Sequence, residues 1–132
     1  MVARFFVDEN DLALGKALAA LHGDVVYPGH LGLPEVPRQT EDDVWLEVIG
    51  RRQLVVITRD KRIRYRPVEK QAWVTHRVRG FVLTGRGSQS TADSLAVVQT
   101  HWTSINEIVV ANPHGPWMFA MTTGALRPIP LD

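Results

Sequence analysis

Leu54-Val55-Val56-Ile57-Thr58-Arg59-Asp60 runs four apolar residues, three of them β-branched, straight into a hydroxyl, a guanidinium and a carboxylate. A run this short and apolar on both faces suits a strand inside a parallel sheet. Upstream of it, Ala3 to Val7 reads as a first strand. Asp11 to His22 reads as a helix with Leu14, Ala17, Leu18 and Leu21 on one stripe and Gly23 as its stop, and Val25-Val26-Tyr27 as a second strand. A loop holding Pro28, Gly29, Gly32, Pro34 and Pro37 follows. The next helix has Thr40 as N-cap, buries Val44, Trp45, Val48 and Ile49, and ends at Gly50. Downstream, Pro67 opens a helix to about His76, Gly80 to Thr84 forms the fourth strand, and Gly85-Arg86-Gly87 turns the chain. Ala92, Leu95, Val98, Trp102 and Ile105 predict one long helix from Ser90 to the Asn112-Pro113 break. The tail, Trp117 to Met121 and Ala125 to Ile129, reads as a hairpin or as one strand plus an extended end.

Strand and helix thus alternate four times, which predicts the α/β class: a three-layer sandwich with a mainly parallel central sheet and a C-terminal hairpin or extra strand. At 132 residues, 45% of them apolar, the chain is one domain over residues 1–132 with one sizeable core. No apolar run is long enough to cross a bilayer. The N-terminal stretch reaches Asp8 before a signal-peptide hydrophobic region can form, so the expectation is a cytoplasmic protein with no membrane partner. With no cysteine, and five histidines without paired spacing, metal chemistry has to rest on carboxylates.

The net charge of +1 hides an asymmetry: residues 1–50 sum to −6, residues 51–79 to +8, and the remainder to −1. Carboxylates hold cations and guanidinium groups hold phosphate, so this order suits a metal site beside a polyanion groove; two balanced solvated faces would give the same numbers. In a parallel sheet the ligand site lies outside the carboxyl ends of the strands, where strand order switches. That edge receives Asp8-Glu9-Asn10 after the first strand, Glu41-Asp42-Asp43 at a helix start, and Thr58-Arg59-Asp60 after the third strand. Converging carboxylates repel unless a cation neutralises them, and oxygen ligands suit Mg2+ or Mn2+. Asp8, Asp42 and Asp60 are the candidate ligands. Each alone also fits an ordinary role as turn former or helix-end charge, but separate capping roles give no reason for all three to share one edge.

Phe5-Phe6-Val7-Asp8-Glu9-Asn10, Asp42-Asp43-Val44-Trp45 and Val55-Val56-Ile57-Thr58-Arg59-Asp60-Lys61 together resemble the PIN-domain nucleases, in particular a short PIN-like branch that includes VapC-type toxins of toxin-antitoxin pairs. The most specific element is the eighteen-residue step from Asp42 to Asp60, closing on Thr-Arg-Asp. The resemblance covers roughly residues 4–86. It implies an α/β sandwich, a Mg2+ or Mn2+ site, RNA cleavage and control by a cognate antitoxin, with a homodimer as the suggested assembly. By position it makes Asp8, Asp42 and Asp60 the catalytic metal ligands and Thr58 the hydroxyl that orients the last carboxylate. Glu9 is an additional ligand candidate, and Asp43 stands in for Asp42 should the register slip by one. Larger PIN domains insert a helical segment with a further acid; here only 33 residues lie between Asp8 and Asp42, leaving Glu9, Asp11 or Glu35 to replace it, or nothing.

Arg59-Asp60-Lys61-Arg62-Ile63-Arg64-Tyr65-Arg66 follows the third strand at the same edge. Arg59, Lys61, Arg62, Arg64 and Arg66 suit RNA phosphates and Tyr65 suits base stacking; the ordinary reading is a solvated loop whose arginines pair with nearby acids. Glu69 reads as a first-turn helix carboxylate, Trp45, Trp73 and Trp102 as packing residues, and His30 and His114 as surface histidines. Two further functional classes stay open. One is a receiver-like phosphoacceptor using Asp8, Asp60 and Thr84, although Lys16, Lys61 and Lys70 leave no lysine after a late strand. The other is a catalytically silent PIN-like module that binds RNA or protein.

Overall fold

The apolar run at Val55 is strand β3 (Val55–Thr58), and all four of its residues are buried. The computed structural model describes residues 2–85 and 90–131, with only the backbone of Lys61. Ahead of β3 come β1 (Phe5–Val7), a 3-10 turn (Glu9–Asp11), α1 (Leu12–Leu21), β2 (Val25–Val26) and α2 (Asp42–Arg52). After it come α3 (Lys61–Tyr65), α4 (Pro67–Thr75), β4 (Arg79–Leu83), α5 (Thr91–Thr100), α6 (Trp102–Ala111), β5 (Trp117–Met121) and β6 (Leu126–Pro128). The six strands form one sheet in the order β2-β1-β3-β4-β5-β6, parallel except for the antiparallel β5-β6 pair. The expected α/β class and the C-terminal hairpin are both present.

Alternation along the strands divides the core between the two faces. Phe6, Val56, Val82 and Met118 pack against Trp45, Leu46 and Ile49 of α2, Ile63 of α3 and Trp73 of α4. Phe5, Val55, Ile57, Phe81 and Met121 pack against Leu14 and Leu18 of α1, Val97 and Val98 of α5, and Ile105 of α6. The result is the three-layer sandwich. The β3-to-β4 and β4-to-β5 connections step the same way across the sheet but lie on opposite faces, so these two crossovers have opposite hands. Gly80 of β4 leaves room for Trp73: an added Cβ would lie 2.6 Å from Val56 O and 2.8 Å from Trp73 Cη2.

Five local expectations are corrected. Val44 is not on the buried face of α2 but 47% exposed, one position before the buried pair Trp45 and Leu46. Residues 61–65 are not loop but α3, because Ile63 is fully buried and pins one short turn to the core. The long helix is two, α5 and α6, parted at His101, whose Nε2 donates to Thr122 O at 2.7 Å and ties the break to the β5-β6 turn. The Ser90 start holds, with its hydroxyl accepting from Asp93 N at 3.0 Å. The N-cap of α2 is Glu41, since Thr40 Oγ1 donates instead to Pro37 O. Gly50 does not end α2, which continues to Arg52. Glycine is instead needed there for close approach, as a Cβ would fall 2.2 Å from His76 O. The turn expected at Gly85-Arg86-Gly87 lies, beyond Gly85, outside the described residues.

Candidate functional site

Val7 pairs with Ile57 in the parallel β1-β3 register, so the next residues, Asp8 and Thr58, reach the carboxyl edge side by side. From β1 the chain turns to β2 on one side and later to β3 on the other, which makes this the switch point of the sheet. Asp8 is 2% exposed, and its Oδ1 has no hydrogen-bond partner among the described residues. Burial pushes the Asp8 carboxyl up to about 7; a hydrogen bond with the Thr58 side chain opposes this, and repulsion from Asp60, Asp42 and Asp11 adds to it. Thr58 Oγ1 in turn accepts the Asp60 backbone N–H at 3.0 Å. The buried hydroxyl therefore links two of the three expected acids.

Asp60 is 6% exposed and caps α3, accepting Arg62 N at 3.0 Å. The Arg62 side chain returns to the same carboxylate: Nε donates to Oδ1 at 3.0 Å and Nη2 to Oδ2 at 2.9 Å, while Nη2 also lies 3.6 Å from Asp42 Oδ2. The hydrogen bonds and charge of Asp60, then the charges of Asp42 and Glu69, raise the Arg62 pKa against the effect of burial. Asp42 is half-buried at the first position of α2, where its Oδ1 accepts Trp45 Nε1 at 3.0 Å. Asp43, the one-residue alternative to Asp42, is exposed and absent from the charges that act on Asp8.

Two adjacent cavities open on this edge, one of about 320 Å³ lined by Asp8, Glu9 and Asp42, the other of about 550 Å³ lined by Asp11 and Asp60. Asn10 and Arg62 line both, so the guanidinium divides the acidic edge. Among the described residues no three carboxylates are gathered as a group that would hold one ion. By donor chemistry the residues nevertheless fit a hard cation. Asp8 Oδ1 and Asp11 Oδ2 are buried oxygens without hydrogen-bond partners, and all four aspartates carry oxygen donors at one edge.

Of Glu9, Asp11 and Glu35, Asp11 is the one whose charge acts on Asp8. Its pKa is raised by burial, against the pull of Arg59, 3.9 Å away, and a Leu14 backbone hydrogen bond. Glu9 accepts Gln39 N and pairs with Arg38 at 3.5 Å, which ties the Pro/Gly loop down. Glu35 pairs with Arg52 at 3.3 Å. In the basic segment Arg59 meets Asp11, Arg62 meets Asp60, and Arg66 meets Glu69 at 3.9 Å. Arg64 lies over the ring of Tyr65, which is 67% exposed, and the Lys61 side chain lies outside the described residues.

Sequence reasoning undervalued two residues. Glu69 is more than a first-turn charge, since it shares a cavity of about 260 Å³ with Asp42 and Arg62. Trp45 packs in the core as expected and also fixes Asp42; their i,i+3 spacing on α2 was the available signal.

Fold and site together define a three-layer α/β domain with an acidic edge at its switch point. The chain belongs to the PIN-like domain family: the family model described as "PIN like domain" matches residues 3–85. That family is of nuclease type. No curated protein and no solved structure matches the chain.

Proposed function

We propose that this protein is a Mg2+- or Mn2+-dependent endoribonuclease and acts as the toxin of a VapC-like toxin-antitoxin pair. The observation that carries the reading is Asp8, a buried carboxylate with an unpartnered oxygen, surrounded by Asp60, Asp42 and Asp11 at the switch point of a parallel sheet. Asp8, Asp42, Asp60 and Asp11 are the residues that would hold the ion. When bound, such an ion supplies Lewis acidity toward a phosphodiester and offsets the mutual repulsion of these carboxylates. Thr58 keeps Asp8 and Asp60 in register, and Trp45 holds Asp42. Arg64 and the exposed Tyr65 offer a phosphate contact and a stacking face next to the edge. The partner in this reading is a cognate antitoxin; Val44 of α2, Tyr65 of α3 and Val68 of α4 are each exposed and available to a protein. A homodimer and a cytoplasmic location belong to the same reading. No helix among the described residues is long and apolar enough to cross a membrane.

A catalytically silent PIN-like module is the second reading, favoured by Arg62, which already neutralises Asp60. The receiver-like alternative finds no lysine after β4 or β5 to hold a phosphoryl group. Single-stranded RNA incubated with the protein and Mn2+ separates the first two: cleavage that a chelator stops and Asp60→Asn removes supports the enzyme, and retention of intact RNA supports the silent module. Growth arrest on induction, relieved by the product of an adjacent gene, tests the toxin role.

A further inference from the structure

At the opposite, amino-terminal edge of the sheet, the ends of α2 and α4 and the entries to β4 and β5 enclose a cavity of about 350 Å³. Arg51, Arg77, Arg79, His76 and His114 line it, with Glu47 as the one acid in the lining. Neither Arg77 nor Arg79 has a carboxylate partner among the described residues. Arg79 is instead held by main-chain carbonyls, Nη2 donating to Gln53 O at 2.7 Å and Nη1 to Asn112 O at 3.5 Å. Such bonds orient a guanidinium without neutralising it. Two helix C-termini contribute roughly half a negative charge each, so with Glu47 they leave the cavity about one positive charge in excess, before either histidine takes a proton.

Backbone conformation points to the same cavity. Among the described residues three non-glycine residues adopt positive φ, and two of them, Gln53 (57°) and Arg77 (56°), line this pocket. Each stands just past a helix end, where a left-handed residue is usually glycine or asparagine. Long polar side chains are kept there despite the strain, a pattern that gathers at binding sites. The walls are drawn together by two glycines: a Cβ on Gly50 would meet His76 O at 2.2 Å, and one on Gly115 would meet Arg77 O at 2.1 Å.

We propose that this cavity binds a phosphate group, with Arg77 and Arg79 as its principal donors, at a site separate from the acidic edge. Guanidinium donors match phosphate oxygens, and the volume admits a phosphate with its attached sugar. The phosphate is supplied either by a nucleoside monophosphate or by the backbone of an RNA strand that continues around the domain. The site does not depend on the nuclease reading.

The test is calorimetric titration of inorganic phosphate, a nucleoside monophosphate and a short single-stranded oligoribonucleotide, without divalent metal, into wild type, Arg77→Gly and Arg127→Gln. Arg77→Gly removes the guanidinium and relieves the positive φ, so it retains or gains thermal stability and loss of binding is not loss of fold. The expected result is one phosphate per chain, weakened about tenfold or more by Arg77→Gly, the worth of a charge-assisted hydrogen bond, and unchanged by Arg127→Gln, an exposed arginine on β6 outside the cavity. If the oligonucleotide is weakened as well, the strand is the source; if only phosphate and the monophosphate are, a small ligand is. Absence of phosphate binding, or equal binding by wild type and Arg77→Gly, overturns the proposal.

Discussion

Arg62 grips Asp60 with a two-pronged contact, Nε to Oδ1 at 3.0 Å and Nη2 to Oδ2 at 2.9 Å, while Asp60 is almost wholly buried and Arg62 is not. The guanidinium thus serves as a cation supplied by the chain itself, and an added ion has to compete with it. Arg62→Gln leaves a buried carboxylate without its counter-charge. The metal-free variant is therefore expected to lose about 1–2 kcal/mol of stability, a value reduced because Arg62 faces solvent. Its Mn2+ affinity is expected to rise about tenfold, since the competing charge is gone. Thermal unfolding with and without Mn2+ reads both effects: a lower metal-free Tm and a larger shift on adding the ion. Equal Mn2+ shifts in the two proteins would remove Arg62 from the competition.

Asp8 sets a pH dependence. Its folded pKa of about 7 lies above the ordinary 3.8, so the folded state holds this proton more tightly than the unfolded chain. The stabilisation is complete below pH 3.8 and is lost as pH rises through about 7. Asp8→Asn, which cannot ionise, is expected to match wild type near pH 3 and to exceed it at pH 8 by up to about 4 kcal/mol. Urea unfolding across that range in the presence of a chelator checks it. A variant less stable than wild type at pH 8 would contradict the account.

Thr58→Val keeps the shape and removes the hydroxyl that joins Asp8 to the Asp60 N–H. An unpaired buried donor costs about 1–3 kcal/mol, so the variant is expected to be less stable by that amount and Thr58→Ser much less affected. Carboxyl NMR is expected to show Asp8 titrating still higher in the valine variant, because the bond that favoured its charged form is gone.

Gly80→Ala places a methyl group against Val56 O and the Trp73 indole, contacts of 2.6 and 2.8 Å. The carbonyl belongs to the sheet and cannot swing aside. A loss of roughly 1–3 kcal/mol is expected from this overpacking, read as a lower urea midpoint with an unchanged slope.

The strands and the order of elements were legible because buried parallel strands are unbroken apolar runs, as at Val55-Val56-Ile57, and because helix stripes such as Leu14 and Leu18 repeat at helical spacing. Asp8 and Asp60 were legible as edge residues for the same reason, since a strand's end names its carboxyl edge. What local pattern does not encode is where a long side chain folds back. Arg62 reads as one basic residue among five, and only the capping turn of α3 directs its guanidinium onto Asp60. α3 has no signature in the sequence because one apolar residue, Ile63, cannot establish a period. The break at His101 was hidden because apolar spacing runs on through Trp102 and Ile105 although the backbone does not. The phosphate cavity was invisible for a different reason: its residues come from three separated segments, and the left-handed conformation of Arg77 has no signature in side-chain type.

The central claim is that the aspartates of the carboxyl edge bind one divalent cation set and cleave RNA with it. Its most direct test is calorimetric titration of Mn2+ into wild type and into the Asp8→Asn/Asp60→Asn double variant, with single-stranded RNA cleavage scored in the same samples. The account predicts binding and cleavage in wild type and the loss of both in the double variant. Failure of wild type to bind Mn2+, or cleavage that survives the double substitution, would contradict it.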